Sequence, residues 1–116
     1  MSKLEIHVGG TFADTKHRVL DAAARAERGE PVAAENHVTF ESWAALSAVM
    51  TGKRFEVLRH LHRCPEASIA ALARHLGRDY TRVHGDVEAL ATAGLIDRDA
   101  TGLRVQYDEI RTTVAL

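Results

Sequence analysis

Basic side chains are concentrated in the middle of this chain. Residues 51 to 84 carry seven lysines and arginines against three acidic residues, although the formal net charge of the whole chain is -1. Four of the seven histidines also lie in this segment. A one-sided concentration of positive charge is typical of proteins that contact phosphates. A solvated basic surface gives the same pattern about as often, so the charges favour nucleic-acid binding without deciding it.

A second chemistry that the residues allow is metal binding. His60 and Cys64 are four positions apart, a spacing that places two ligands on one side of a helix. His62, His75 or His84 could complete such a site. No paired cysteines or dense acidic cluster accompany them, so the favoured interpretation is a buried, inert cysteine among surface histidines. We expect no metal.

Catalytic patterns are missing from the sequence. It contains no glycine-rich phosphate loop, nucleophile elbow or paired-carboxylate motif. We therefore expect a protein that is not an enzyme and has no cofactor. Hydrophobic residues make up 46% and charged residues 27%, which is ordinary globular composition rather than that of a disordered or membrane protein. Cys64 is the only cysteine, which fits a reducing, cytoplasmic location.

The elements that would position the basic residues form a recognisable order. Ser68 can cap a helix, and Ala73 is small enough for a second helix to cross close to it. Gly77 suits a tight turn, and Val83 can pack the second helix back against the first. A hairpin with Gly102 at its tip follows. This order predicts a winged helix-turn-helix, with an ordinary helical hairpin as the alternative.

The predicted geometry assigns roles to particular side chains. The first turns of a recognition helix reach base edges in the major groove, and Arg82 is the leading base reader because a guanidinium can bind guanine O6 and N7. Arg78, just before that helix, is better placed for phosphate. Asp97 and Asp99 predict a weak contribution from the hairpin. The other expected DNA contacts are Ser68, Arg74, Tyr80, Thr81, His84, Thr101 and Arg104.

Three segments carry a family resemblance: residues 51 to 58 (TGKRFEVL), 72 to 79 (LARHLGRD) and 83 to 87 (VHGDV). They resemble the MarR-like winged-helix regulators. With residues 94 to 96 (GLI) and 107 to 110 (YDEI), they are similar to a small archaeal and bacterial subfamily of antitoxin-like predicted regulators. The resemblance implies a dimeric, DNA-binding transcriptional regulator and, more loosely, a toxin partner. Gly85 departs from the pattern, since a long basic residue is expected there.

Two functions follow as expectations. The first is a sequence-specific transcriptional regulator of double-stranded DNA, acting as a homodimer and regulating its own toxin–antitoxin-type operon. The alternative is a protein-interaction module that neutralises a toxin and has little intrinsic DNA binding.

The N-terminal part of the chain gives weaker signals. Residues 4 to 8 alternate in hydrophobicity as a strand does, and a helix is expected from Thr11 to about Arg28. Residues 30 to 36 are predicted to be a linker, and residues 110 to 114 an edge strand. Trp43 is expected in the core rather than in an exposed partner-binding stripe.

The expected fold class is mainly α with a small β wing: a winged helix-turn-helix preceded by an N-terminal strand and helix. The expected domains are an extension at residues 1–36, serving a dimer or partner interface, and a DNA-binding domain at residues 37–116. A single strand needs a partner, so the first strand must pair with the domain sheet, a second subunit or another protein.

Overall fold

The computed structural model describes residues 2–10, 20, 21, 23–25, 27–29 and 35–116. The named elements are the strands β1 (Lys3–Val8) and β2 (Glu35–Phe40), the helices α1 (Trp43–Val49), α2 (Gly52–Arg63), α3 (Ile69–Leu76) and α4 (Tyr80–Thr92), and the strands β3 (Asp97–Asp99), β4 (Gly102–Arg104) and β5 (Glu109–Val114). Residues 20, 21, 23–25 and 27 are also helical. None of the helices in the described part of the chain is long and apolar enough to span a bilayer.

Residue contacts divide the chain into two compact units. The sheet unit comprises Met1–Ala45 and Asp108–Leu116, and the helical unit is the continuous segment Leu46–Tyr107. The sheet unit is therefore built from both ends of the chain. The predicted domain boundary between residues 36 and 37 falls within β2.

The sheet unit contains a three-stranded sheet in the order β2-β1-β5. Both neighbours run parallel to β1, with Ile6 opposite Val38 on one side and Thr112 on the other. Alternate β1 side chains, Leu4, Ile6 and Val8, are buried, as expected of a strand with one face in a core. The first strand therefore finds both of its partners within the same chain.

This sheet overturns the expected fold class. The chain is not a mainly α winged helix with a small wing but an α/β structure, because β1, β2 and β5 form a parallel sheet separate from the β3–β4 hairpin. The linker prediction for residues 30 to 36 is also wrong at its end, since β2 begins at residue 35. The predicted strand at residues 110 to 114 is confirmed, as an edge of this sheet. The helix predicted from Thr11 lies partly outside the described residues.

The helical unit follows its local signals closely. Thr51, Ser68 and Asp79 each cap a helix by accepting a hydrogen bond from a backbone N–H three residues later, at 3.1 to 3.3 Å. Gly77 ends α3 in the left-handed conformation, with φ of 65°, and its N–H bonds to carbonyls of the last turn. The predicted cap at Ser68 and the predicted turn at Gly77 are confirmed.

The core of the helical unit comes from one face of each helix. Buried apolar residues of α2 (Val57, Leu58, Leu61), α3 (Ile69, Leu72, Ala73) and α4 (Val83, Val87, Leu90) are joined by residues of the hairpin region. Two aromatic predictions are wrong. The helical spacing of Phe55 with Leu58 and Leu61 predicts that it faces inward, but Phe55 is 45% exposed. Trp43, expected in the core, is 60% exposed.

Candidate nucleic-acid interface

A cleft of about 290 Å³ lies on the surface of the helical unit. It is bounded by the start of α3, the first residue of α4 and the β3–β4 hairpin. The N-terminal ends of two helices and one hairpin therefore face the same cleft. The lining residues are Ala67, Ser68, Ile69, Ala70, Tyr80, Arg98, Asp99, Gly102 and Leu103.

The hairpin is held in place by the backbone that connects α2 to α3. Glu66 N–H donates to the Leu103 carbonyl at 3.0 Å, and Leu103 N–H donates to the Glu66 carbonyl at 2.8 Å. Gly102 allows this close approach, because a Cβ there would lie 2.3 Å from the Glu66 oxygen, and its φ is +130°. The far wall of the cleft is thus fixed to the helices by backbone hydrogen bonds.

The start of α4 presents an aromatic and polar ridge toward the hairpin. Tyr80 is 52% exposed, and its ring packs against His84 with ring centroids 5.9 Å apart. His84 lies 3.7 Å from Glu88, which also accepts a hydrogen bond from Arg98. That hydrogen bond, aided by the positive charge of Arg98, lowers the pKa of Glu88. A line of contacts therefore runs from the first turn of α4 to the hairpin.

A second strip of α4 carries the positive charge. Thr81, Arg82 and Gly85 are all exposed, and a side chain at Gly85 would meet open space. Arg74 on α3 is also exposed. Among the described residues no ion pair involves Arg82 or Arg74, so both guanidinium groups can meet an external anion. The helix phase inferred from the sequence therefore placed these side chains correctly on the surface.

Arg78 has a different position from the one predicted for a phosphate contact. Its guanidinium donates to Asp86 Oδ2 at 2.8 Å, and Arg54 donates to Asp86 Oδ1 at 3.1 Å. The Arg78 side chain is only 18% exposed. Arg54 also donates to the carbonyls of Ala48 and Val49 at 3.0 and 3.2 Å. These contacts join α2, α4 and the turn before α4, so we assign Arg78 to the packing of the helices.

The tip of the hairpin is also internally paired. Asp99 accepts hydrogen bonds from the Thr101 hydroxyl at 2.5 Å and the Thr101 N–H at 2.8 Å, and from the Arg104 guanidinium. The bonds from Thr101, followed by that from Arg104, lower the pKa of Asp99 to about 2. Thr101 and Arg104, the two hairpin residues predicted to contact DNA, therefore both bond to the Asp99 carboxylate.

Sequence reasoning did not anticipate the cleft itself. Ser68 and Tyr80 were predicted as contacts, but the small side chains at positions 67 and 70 that open the space beside them were overlooked. Arg98, a hairpin residue that was not among the expected DNA contacts, lines the same cleft. The available signal was the pair of alanines flanking the Ser68–Ile69 cap, which leave room beside the helix start.

Comparison with known protein families gives a match over more than half of the chain. The model of the HVO_A0114 family matches residues 49–112, which include α2, α3, α4 and the hairpin. The name of the family describes no activity. No curated protein and no solved structure matches the chain.

Proposed function

The chain belongs to the HVO_A0114 family, and we propose that the segment defining this membership binds double-stranded DNA as a sequence-specific transcriptional regulator. In this proposal the exposed face at the start of α4 enters the major groove. The cleft beside it receives the sugar-phosphate backbone. The observation that carries the proposal is that Arg82 and Tyr80 stand exposed in the first turn of α4 beside a fixed hairpin. A second exposed arginine, Arg74, lies in the last turn of α3, and neither arginine has an ion-pair partner among the described residues.

Each part of this surface has a role that follows from its position. Arg82 lies on the exposed face of the first turn of α4, where a side chain can reach base edges. Arg74 and the Ser68 hydroxyl belong to α3 and are suited to phosphate oxygens. Tyr80 and Thr81 can contact phosphate or a thymine methyl group. Arg78 is removed from the proposed contact set because Asp86 engages it.

The proposed regulator acts as a homodimer. One copy offers few base-reading side chains, and two copies related by a two-fold axis would read half-sites about 34 Å apart. The pairing of β1 with β2 and β5 removes the argument that an unpaired first strand requires a second subunit. The toxin partner implied by the family resemblance stays a prediction, as does regulation of its own operon.

The proposal is tested by titrating the full-length protein into a fluorescent duplex from the region upstream of its gene, with a scrambled duplex as competitor. Arg82→Ala should weaken specific binding by about 5- to 150-fold, the effect of losing one base contact. Arg74→Ala should weaken binding to all sequences and reduce the salt slope by about one unit. Arg63→Ala is the matched control, since it removes an exposed arginine at the end of α2 that does not line the cleft.

Equal effects of Arg82→Ala and Arg63→Ala would contradict the proposed reading face. Binding that does not depend on salt, or no binding to the upstream duplex, would contradict DNA binding altogether. Sedimentation velocity on the protein–DNA complex tests the dimer, because two protein copies per specific site are expected.

A further inference from the structure

A compact cluster of metal-ligand side chains lies in the helical unit, where α2 turns toward α3. Donor atoms of His60, Cys64 and Glu66 all lie within 4.8 Å of one another. His60 and Cys64 are one helical turn apart, and the Cys64 N–H donates to the His60 carbonyl at 2.8 Å. The turn through Pro65 then brings Glu66 back toward the same side of α2.

Glu66 is the centre of this cluster. It is a buried acidic residue, and its Oε2 atom accepts hydrogen bonds from His60 Nε2 at 2.7 Å and from His75 Nδ1 at 2.6 Å. Burial by itself raises the pKa of Glu66, but the hydrogen bonds from His75 and His60 outweigh it and leave the pKa below 4.5. Two imidazoles thus converge on one oxygen of an anionic, poorly hydrated carboxylate.

Cys64 differs from the buried, inert cysteine that the sequence favoured. The residue is exposed, so its thiol can rotate toward the neighbouring imidazole and carboxylate without disturbing the core. An accessible thiol beside two histidines and a carboxylate strengthens the metal interpretation, because Glu66 supplies an acidic ligand that the sequence alone did not place at this site and the fold brings His75 to the same carboxylate.

We propose that His60, Cys64, Glu66 and His75 bind one divalent transition-metal ion of the zinc class. Two imidazole nitrogens, one thiolate and one carboxylate oxygen are the donors that zinc prefers in tetrahedral sites. On binding, His60 coordinates through Nε2 and His75 through Nδ1, and each neutral imidazole carries its proton on the other ring nitrogen, while Cys64 releases its thiol proton to solvent. This site shares no residue with the proposed DNA contacts.

The position of the ligands indicates what the ion does for the fold. His60 belongs to α2 and His75 to α3, while the Glu66 backbone forms a two-bond bridge to Leu103 of the hairpin. A bound ion therefore connects both helices to the segment that holds the hairpin. Metal binding stabilises a folded state that contains the site over an unfolded chain that lacks it.

Cobalt(II) titration of the metal-free full-length protein tests the site, since Co²⁺ is a spectroscopic substitute for zinc. We expect one ion per chain, a thiolate-to-cobalt absorption band in the near ultraviolet and ligand-field bands in the visible. Cys64→Ser should abolish the thiolate band while leaving the far-ultraviolet circular dichroism unchanged. His60→Gln and His75→Gln should each weaken binding by at least about tenfold. Zinc should raise the melting temperature of the parent chain and have no such effect on Cys64→Ser.

The matched control is His62→Gln, which changes an exposed histidine on α2 two positions from His60 and should bind cobalt like the parent. Absence of the thiolate band in the parent chain would overturn the site. Equal loss of affinity in His62→Gln and His60→Gln would show adventitious surface binding instead. Unchanged affinity in His75→Gln would overturn the four-ligand arrangement.

Discussion

The two units of this chain differ in how far apart along the sequence their stabilising contacts are. In the helical unit, each cap joins residues three positions apart, and the buried residues recur at helical spacing. In the sheet unit, β1 pairs with one strand that begins at residue 35 and with another that begins at residue 109. Local sequence signals therefore describe only the part of a fold that is built from contacts between nearby residues.

The difference also has a consequence for folding. Parallel strands must be brought together by long connections, and the loss of chain entropy precedes the gain from pairing. The helical unit contains helices joined by short turns and closes with a hairpin. The two units should therefore respond to core substitutions separately if each has its own cooperative core.

The largest expected effect comes from truncating one buried residue in each unit. Ile6→Ala in the central strand and Leu72→Ala in α3 each remove a buried branched side chain, which costs about 2 to 5 kcal/mol. We expect Ile6→Ala to speed amide hydrogen exchange in β1, β2 and β5 while leaving α2 to α4 protected. Leu72→Ala should give the reverse pattern in the same measurement, read peptide by peptide. Faster exchange throughout the chain in both variants would show a single cooperative unit instead.

The sequence allowed most of the helical unit to be predicted, for physical reasons. A cap is a short side chain that bonds to a backbone N–H three residues on, so Ser68 and Asp79 could be identified with no knowledge of the fold. Gly77 and Gly102 occupy left-handed positions that few other residues adopt. The sheet could not be derived in the same way. Strand β2 has only Val38 and Phe40 as apolar signals, and nothing in it specifies that it pairs with residues 3 to 8.

In the candidate interface, too, some side-chain positions follow from local sequence signals and others depend on contacts between separate elements. The exposure of Tyr80 and Arg82 follows from the phase of one helix and was predicted correctly. The ion pair of Arg78 with Asp86 joins two positions eight residues apart in different elements, so it cannot be predicted from helix periodicity. Burial of Glu66 between His60 and His75 likewise depends on how α2 and α3 pack. Pairing between elements therefore decides which charged residues remain available for a ligand.

A smaller change in stability is expected from Tyr107, the last residue of the helical unit. The Tyr107 hydroxyl donates to the Leu95 carbonyl at 2.8 Å in a buried position, and burial, with a lesser contribution from Asp97, raises the pKa of this phenol above its ordinary value of 10.0. The folded chain favours the neutral phenol, so its contribution to stability is complete below pH 10 and is lost as pH rises further. Between pH 10 and 11 the free energy of unfolding should fall by about 1 kcal/mol from this group.

Tyr107→Phe isolates that contribution. The variant should be less stable than the parent by about 1 to 2 kcal/mol at pH 7, because the Leu95 carbonyl loses its partner. Urea unfolding at pH 7 and pH 11, followed by circular dichroism of the helices, should show the gap between the two proteins closing at high pH. Parallel decline of both proteins would mean that Tyr107 does not titrate differently in the folded chain.

The smallest expected change in stability tests the functional surface of the helical unit. Gly85 is an unfavourable residue within α4, since glycine lowers helix stability by about 1 kcal/mol relative to alanine. A Cβ at this position meets nothing within 4 Å, so Gly85→Ala should raise the free energy of unfolding by about 0.5 to 1 kcal/mol.

If α4 lies deep in the major groove, the larger Gly85→Gln should weaken binding to the upstream duplex although the unbound protein stays folded. Thr92→Gln is the matched control, because it changes an exposed residue at the opposite end of the same helix. DNA affinity that is unchanged by Gly85→Gln would mean that this face of α4 does not approach the bases, and the glycine would then have no explanation in DNA contact.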